Sequence, residues 1–325
     1  MRTLKVGVVG VGYLGRFHAQ KYAAINDVEL VGVADIDHGQ AQSAASKFGC
    51  RAFADYRELI GRVDAVSIVV PTPAHCSVSR DFLENDVDVL IEKPITTSLA
   101  EADMLIRLAE GRGRLIQVGH LERFNPAVVA LSPRIGRVRF IESHRLSPYQ
   151  PRGTDVSVVL DLMIHDIDII LNLVNSPVNE IRAAGIAVVS DHVDIANARL
   201  SFANGCVANV TASRLATRSE RKMRLFQPDA YMTIDFAHRQ ATVVHPAPEG
   251  ESAGELIPGM QIEKLDLEAG DALEDEIRAF VSAVRHRTPP VVSGQMGRDA
   301  LAVALAIMEQ IRKADDDFRA VQERP

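Results

Sequence analysis

Cysteine, positive charge and long apolar runs are all scarce in this sequence. Its 325 residues hold three cysteines, Cys50, Cys76 and Cys206, odd in number and widely scattered, which fits neither a disulfide framework nor a metal-ligand cluster. No metal site is expected. Lysine and arginine total 36 against 43 acids, a formal net charge of -7; this argues against a general nucleic-acid or anionic-membrane surface and still allows a local basic pocket. No apolar run is long enough to span a bilayer, and Met1 to Val6 leads straight into a strand pattern without a signal-peptide layout. A cytoplasmic protein with no membrane insertion is the expectation. The remainder, 47% hydrophobic and 24% charged, is ordinary for a globular chain long enough for two domains.

What is present begins with a strand pattern, Leu4 to Val9, that feeds directly into Gly10-Val11-Gly12-Tyr13-Leu14-Gly15, followed by a helical pattern from Arg16 to Ala24. A glycine-rich turn between a strand and a helix is a dinucleotide-binding signature. Gly10 permits the tight turn, Gly12 lets backbone approach a pyrophosphate, and Gly15 lets helix and strand pack closely. Tyr13 and Leu14 lie in the same turn, where free N–H groups at the helix start face the phosphates. A second strand, Val28 to Ala34, ends at Asp35, placed to accept hydrogen bonds from the adenosine ribose and to repel a 2′-phosphate. With no arginine in Ile36-Asp37-His38-Gly39, the expected cofactor is NAD.

Helix and strand then alternate: a helix over Gly39 to Lys47, a buried strand over Asp64 to Val70, a strand over Val87 to Ile91, a helix over Ser98 to Ala109, and a strand over Leu115 to Val118. Thr72-Pro73 stops one of these strands, and His75 opens the next helix, in a capping, packing or cofactor role. Glu92-Lys93-Pro94 follows another strand at its carboxyl end, where ligands bind in doubly wound sheets. Such alternation implies an open parallel sheet.

After Gly119 the pattern changes. Strand-like runs appear at Val138 to Leu146, Ile181 to Val189, Val193 to Ala203, Cys206 to Leu215, Ala230 to Phe236 and Ala241 to Val244, with Asn204-Gly205 a two-residue hairpin signal. His245 to Gly270 reads as loops with a short strand at Gln261 to Leu267, and helices over Ala272 to Arg285 and Met296 to Lys313 close the chain. The fold class expected is α/β, an N-terminal Rossmann parallel sheet over 1–121 plus a C-terminal α/β domain over 122–325 with an open, mostly antiparallel sheet.

One stretch of the second half, Val159 to Ile170, threads ionisable residues through an apolar helix. Leu160, Met163, Ile164, Ile167, Ile170, Leu171 and Val174 recur on one face. Asp161, His165, Asp168 and Asn172 recur on another, and Asp161 and His165 are four apart, close enough on an α-helix for a carboxylate to orient an imidazole. That is half of a proton-transfer site, or else a solvated polar face.

Together, the glycine-rich turn, Thr72-Pro73, Glu92-Lys93-Pro94 and Asp161-Leu162-Met163-Ile164-His165 resemble the Gfo/Idh/MocA family of oxidoreductases, over nearly the whole chain. The resemblance implies a Rossmann domain followed by an α/β domain whose open sheet builds homodimers or homotetramers, a cis Lys93–Pro94 bond, and Lys93, Asp161 and His165 as catalytic groups. Within the family, Gln117 to Pro126 is most similar to the branch that oxidises the 3-hydroxyl of UDP-N-acetylglucosamine to a ketone for amino-sugar and lipid A type biosynthesis. Gly153-Thr154-Asp155-Val156-Ser157 departs from the paired glycines that many relatives carry before the catalytic helix.

For an alcohol oxidation His165 is the expected base, Asp161 its orienting carboxylate, and Lys93 a donor to the reacting oxygen, with the final proton acceptor left open between Lys93 and His165. A UDP-sugar carries two phosphate charges. Arg214, Arg218, Arg221, Lys222 and Arg224 form the densest basic group, and Arg214, Arg218 and Arg221 are assigned to substrate, alongside His120, Arg123 and Asn125. Two alternatives stand beside this reading: a dehydrogenase of a free sugar or inositol, and a cofactor-binding regulator without turnover.

Overall fold

Unbroken apolar runs become the strands of the first unit because a parallel strand is covered on both faces. The computed structural model describes residues 2–150, 156–247, 257–265, 267 and 270–322. In chain order the first elements are β1 (Leu4–Val9), α1 (Gly15–Ala24), β2 (Val28–Ala34), α2 (His38–Phe48), β3 (Arg51–Phe53), β4 (Ala65–Ile68), α3 (His75–Glu84), β5 (Asp88–Glu92), α4 (Leu99–Arg112) and β6 (Ile116–Gly119). They form a six-stranded sheet in the order β3-β2-β1-β4-β5-β6, parallel at every pairing. The expected alternation is borne out. The strand order reverses between β1 and β4, and at that reversal the carboxyl ends of both strands open a crevice.

Local chemistry sets the helix ends. The Asp37 carboxylate caps α2 by accepting the N–H groups of Gly39 and Gln40, and Ser98 and Glu101 form a reciprocal capping box on α4. The helix expected to end at Ala109 runs on: α4 reaches Arg112 and Gly113 ends it at φ +61°, a left-handed conformation that costs glycine little.

After Gly119 come α5 (Pro126–Leu131), β7 (Phe140–Leu146), α6 (Ile164–Val174), β8 (Val178–Ile186), β9 (Ile195–Phe202), β10 (Val207–Ser213), β11 (Glu220–Gln227), β12 (Ala230–Asp235), β13 (Gln240–Pro246), β14 (Met260–Leu265), α7 (Ala272–His286) and α8 (Gly294–Gln322). Eight strands build one sheet in the order β14-β13-β12-β11-β7-β10-β9-β8. Only the β7–β10 pairing is parallel, so the sheet is mixed and mostly antiparallel. The expected β9–β10 hairpin forms, though with a loop longer than two residues between Phe202 and Val207, with Gly205 at φ +84° and Asn204 Oδ1 accepting the Cys206 N–H at 3.0 Å.

Along these strands burial alternates. Ile141, Ser143 and Arg145 of β7 are buried and share a face with Met223 and Leu225 of β11. Phe140 lies opposite Phe226, and Phe226 opposite Tyr231, on the other, half-buried face. Two compact units result: Met1–Leu121 with Asp271–Leu301, and Glu122–Gly270 with Ala302–Pro325. In the first, Ile277, Phe280 and Val281 of α7 join Val6, Val8, Tyr22 and Val33 in one core.

Candidate functional site

At the end of β1 the three glycines are needed for different reasons, and the backbone shows why. A Cβ on Gly10 would lie 2.5 Å from the Val69 carbonyl oxygen, and one on Gly15 would lie 1.8 Å from the Gly10 carbonyl oxygen. On Gly12 it would meet nothing within 4 Å. Gly10 and Gly15 are thus demanded by the protein's own packing, whereas the bare flank at Gly12 is open space beside the start of α1. That start carries no side-chain cap, unlike α2 and α4, and its N–H groups suit a pyrophosphate. Tyr13 is exposed and stacks edge to face on Phe17, with ring centroids 5.4 Å apart; Leu14 is the residue before α1. Asp35 closes the cradle: its Oδ2 accepts the Val11 N–H at 2.8 Å and its Oδ1 the Asp37 N–H at 2.9 Å. The residues present fit a dinucleotide.

Across the strand reversal, Thr72 and Pro73 lie in a single 3₁₀ turn that leads into α3. His75 is 1% exposed, with Nδ1 2.9 Å from the Pro94 carbonyl oxygen and Nε2 2.8 Å from that of Val70. Burial pulls its pKa below the ordinary imidazole value, against the opposing pull of the two carbonyls. Glu92 ends β5, and its Oε1 lies 3.0 Å from Nε2 of the buried His18. His18 Nδ1 is 3.2 Å from the Ser67 hydroxyl, which lies 2.9 Å from that of Tyr22. The Glu92 carboxylate fits against Gly119, where a Cβ would come within 2.9 Å of it. Lys93 follows, half-buried, and the Lys93–Pro94 bond is cis, as the resemblance implied. His120, 1% exposed, comes directly after β6.

In the second unit the single helix expected from Val159 onward is two helices in series. Val159–Met163 is π-helical, with the Ile164 N–H reaching back to the Val159 carbonyl, and α6 continues from Ile164. The four-residue neighbour argument for Asp161 and His165 assumed α geometry, but Asp161 sits in the wider π stretch, a feature frequent at functional sites. No proline or glycine signals it in the sequence. His165 is half-buried in the first turn of α6.

The polar side of α6 is solvated only in part: Asn172 is exposed, whereas His165 is half-buried. Asp166 and Asp168 are 1% and 3% exposed. Arg145 donates to both Asp166 oxygens, from Nε at 3.1 Å and Nη2 at 2.8 Å, and its Nη1 donates to Glu122 at 2.9 Å. Its guanidinium lies over the Phe236 ring, 5.3 Å from the centroid. Burial pulls the Arg145 pKa down, but the two carboxylates outweigh it and hold the group charged. Arg123, buried after β6, has Nη1 3.9 Å from Asp168; burial lowers its pKa, with Asp168 opposing. Asn125 donates to Glu122 at 3.0 Å and accepts the Ala127 N–H at 3.1 Å, which caps α5. Sequence reasoning missed Arg145 and Asp166 altogether, since their 21-residue separation carries no periodic signal.

The basic group is spread out. Arg214 is buried, donating to the Val156 carbonyl at 2.6 Å and standing 3.9 Å from Asp194. Arg218 and Arg221 are exposed. Lys222 pairs with Asp235 at 3.6 Å and Arg224 with Glu142 at 3.3 Å, on the face of β11 opposite to Arg221. Residues 153–155 of the departing segment lie outside the described residues. Among the described residues no group of three or more His, Cys, Asp or Glu is arranged to hold a metal ion, and no helix is long and apolar enough to cross a membrane.

Residues 4–120 match the model described as "Oxidoreductase family, NAD-binding Rossmann fold" of GFO/IDH/MocA, and residues 130–232 match a GFO/IDH/MocA C-terminal domain. A UDP-N-acetylglucosamine 3-dehydrogenase from Acidithiobacillus ferrooxidans is 41% identical over 98% of this chain and 99% of that protein. A solved structure of that enzyme superposes with a TM-score of 0.91 at 41% identity, covering 96% of this chain and 98% of the other. A myo-inositol 2-dehydrogenase from Thermotoga maritima is 24% identical over 95% of this chain and 97% of its own length.

Proposed function

Because the chain belongs to the Gfo/Idh/MocA family of oxidoreductases, we infer that it is an NAD-dependent dehydrogenase that oxidises the 3-hydroxyl of UDP-N-acetylglucosamine to the 3-keto sugar. The observation that carries this is the near-full-length likeness, in sequence and in fold, to an enzyme of that activity, in a chain that keeps Lys93, Asp161 and His165. NAD held by the glycine turn would supply the acceptor for the C3 hydride. His165 takes the hydroxyl proton, Asp161 steadies the imidazolium that forms, and Lys93 donates a hydrogen bond to the oxygen as it gains alkoxide character. The final proton acceptor is His165 or Lys93. Gly10, Gly12, Tyr13, Leu14, Gly15 and Asp35, with Thr72, Pro73 and Glu92, hold the dinucleotide. His120, Arg123 and Asn125 line the sugar site. Arg214 braces the segment that leads into the π-helical stretch, through the Val156 carbonyl, and Arg218 and Arg221 meet the diphosphate, a role their exposure suits.

The product ketone is consumed by a transamination, as amino-sugar and lipid A type biosynthesis requires. A homodimer or homotetramer forms through the sheet face that carries Phe140, Phe226 and Tyr231, whose stacked rings, 4.9 Å apart for Phe226 and Tyr231, make an apolar centre of the kind interfaces use. Light scattering that finds only monomers would remove this. The cytoplasm is the proposed location, consistent with Cys50, Cys76 and Cys206 as free thiols.

An assay with NAD and UDP-N-acetylglucosamine, coupled to a transaminase that removes the ketone, is expected to produce NADH. Replacing Arg218 and Arg221 with alanine should raise KM for the UDP-sugar and leave KM for a free sugar unchanged. If nucleotide sugars give no NADH while inositols or free sugars do, the runner-up holds. If the protein binds NAD and none of these substrates turns over, the regulator reading holds.

A further inference from the structure

We propose that His75 is a positioning residue for Lys93: its ring, seated between two adjacent strand ends, holds the carbonyl of Pro94 and thereby fixes the turn from which the lysine reaches the reacting oxygen. The proposal rests on the catalytic reading of Lys93 given above.

The geometry lies within the first unit. β4 and β5 are parallel neighbours, and each passes at its carboxyl end into a short non-regular segment, Val69–Pro71 and Lys93–Thr97. Main-chain ladder bonds stop at Ile68 and Ile91, so beyond them something else must tie the two segments together. His75 does so, with Nε2 2.8 Å from the Val70 carbonyl oxygen and Nδ1 2.9 Å from that of Pro94, the residue after Lys93. Both ring nitrogens are occupied by protein carbonyls, so the ring's polar atoms are spent on the scaffold. From the other flank the same turn is held by His18 on Glu92 at 3.0 Å.

A neutral imidazole has one N–H and one lone pair. Facing two carbonyls, which only accept, it makes one true hydrogen bond, and burial favours this neutral form. Glu92 is the charged group that bears on the ring from β5. The tautomer with the proton on Nδ1 is the one that grips Pro94. Loss of that grip leaves the lysine attached to a turn anchored on one side only, and a misplacement of about 1 Å can cost up to about a hundredfold in rate.

Asparagine and glutamine separate the two contacts. The side-chain amide of His75→Asn reaches where Nδ1 does and restores a donor to Pro94; that of His75→Gln reaches where Nε2 does and restores a donor to Val70; His75→Leu restores neither. We expect His75→Leu to lower kcat about tenfold, with KM for NAD and NADH affinity within about threefold, and His75→Asn to recover most of the loss where His75→Gln does not. The chain has no tryptophan, so bound NADH is read directly by its own fluorescence. In a Lys93→Ala background the His75→Leu substitution should cost nothing further, because the group it positions is gone. Equal recovery by glutamine, a loss confined to NADH affinity, or the same penalty in both backgrounds would overturn the proposal. If His75→Leu fails to fold, the asparagine and glutamine variants decide it alone. If Lys93→Ala itself turns over at the wild-type rate, the catalytic reading of Lys93 falls and this one with it. A slow Lys93→Ala beside a wild-type-like His75→Leu removes only the positioning role.

Discussion

Arg145 and Asp166 meet in a two-pronged ion pair, 2.8 and 3.1 Å long, with neither side chain more than 4% exposed. The pair joins β7 to the residue directly after His165, so the helix that presents the imidazole is pinned at that point. Removing Asp166 leaves the buried Arg145 charge with Glu122 as its remaining carboxylate partner. Asp166→Ala should therefore destabilise the protein by about 3–5 kcal/mol, against a small change for Asp168→Asn, where the facing arginine stands 3.9 Å away. Urea melts of the two variants check the difference. Equal losses would mean that Arg145 does not depend on Asp166.

The glycine turn offers a cleaner separation of folding from binding. Gly15→Ala forces a methyl group onto the Gly10 carbonyl, and should cost about 3 kcal/mol of stability as an overpacked site does. Gly12→Ala meets open space and should melt at the wild-type temperature, yet bind NADH at least about tenfold more weakly, because the methyl group takes the place of the pyrophosphate. Thermal melts paired with NADH titration test both. An alanine at position 12 that binds NADH as tightly as glycine would move the pyrophosphate elsewhere.

Acid should find a weak point at Asp194. Burial pushes this carboxyl up, but the Ser190 hydroxyl and the N–H groups of Val188, Val189 and Ser190 pull harder and hold it at about 2. An unfolded aspartate titrates at about 3.9. Since the folded value is the lower one, the stabilisation is complete above about pH 4 and is lost as pH falls from there towards about 2. Asp194→Asn should lower stability at neutral pH and flatten that acid limb. A variant whose stability declines with the wild-type slope over the same window would exclude Asp194 as its source.

How much of this was legible in the sequence depends on how local the cause is. The parallel sheet was readable because strands such as Ala65–Ile68 are buried at every position and so appear as solid apolar runs. β3 escaped because three residues, two of them not fully buried, carry no periodicity. β11 escaped for the opposite reason: Arg221, Lys222 and Arg224 make it look like a charged loop, and only Met223 and Leu225 betray its buried face. Lys93 and His165 were identifiable by motif. The bracing of their surroundings was not, since Arg145 to Asp166, His18 to Glu92 and His75 to Pro94 are contacts between distant segments. The π stretch before α6 depends on packing that no single residue announces.

The path of the chain has a further outcome. Residues 271–301 rejoin the unit formed by residues 1–121, and α7 supplies Ile277 and Phe280 to the same core as Val6 and Tyr22. A ribosome that has released the whole glycine-turn domain has still not delivered the helix that seals it. The nucleotide-binding half must wait, partly uncovered, until almost the entire polypeptide has been synthesised, and a gene cut at codon 121 will not yield a portable cassette.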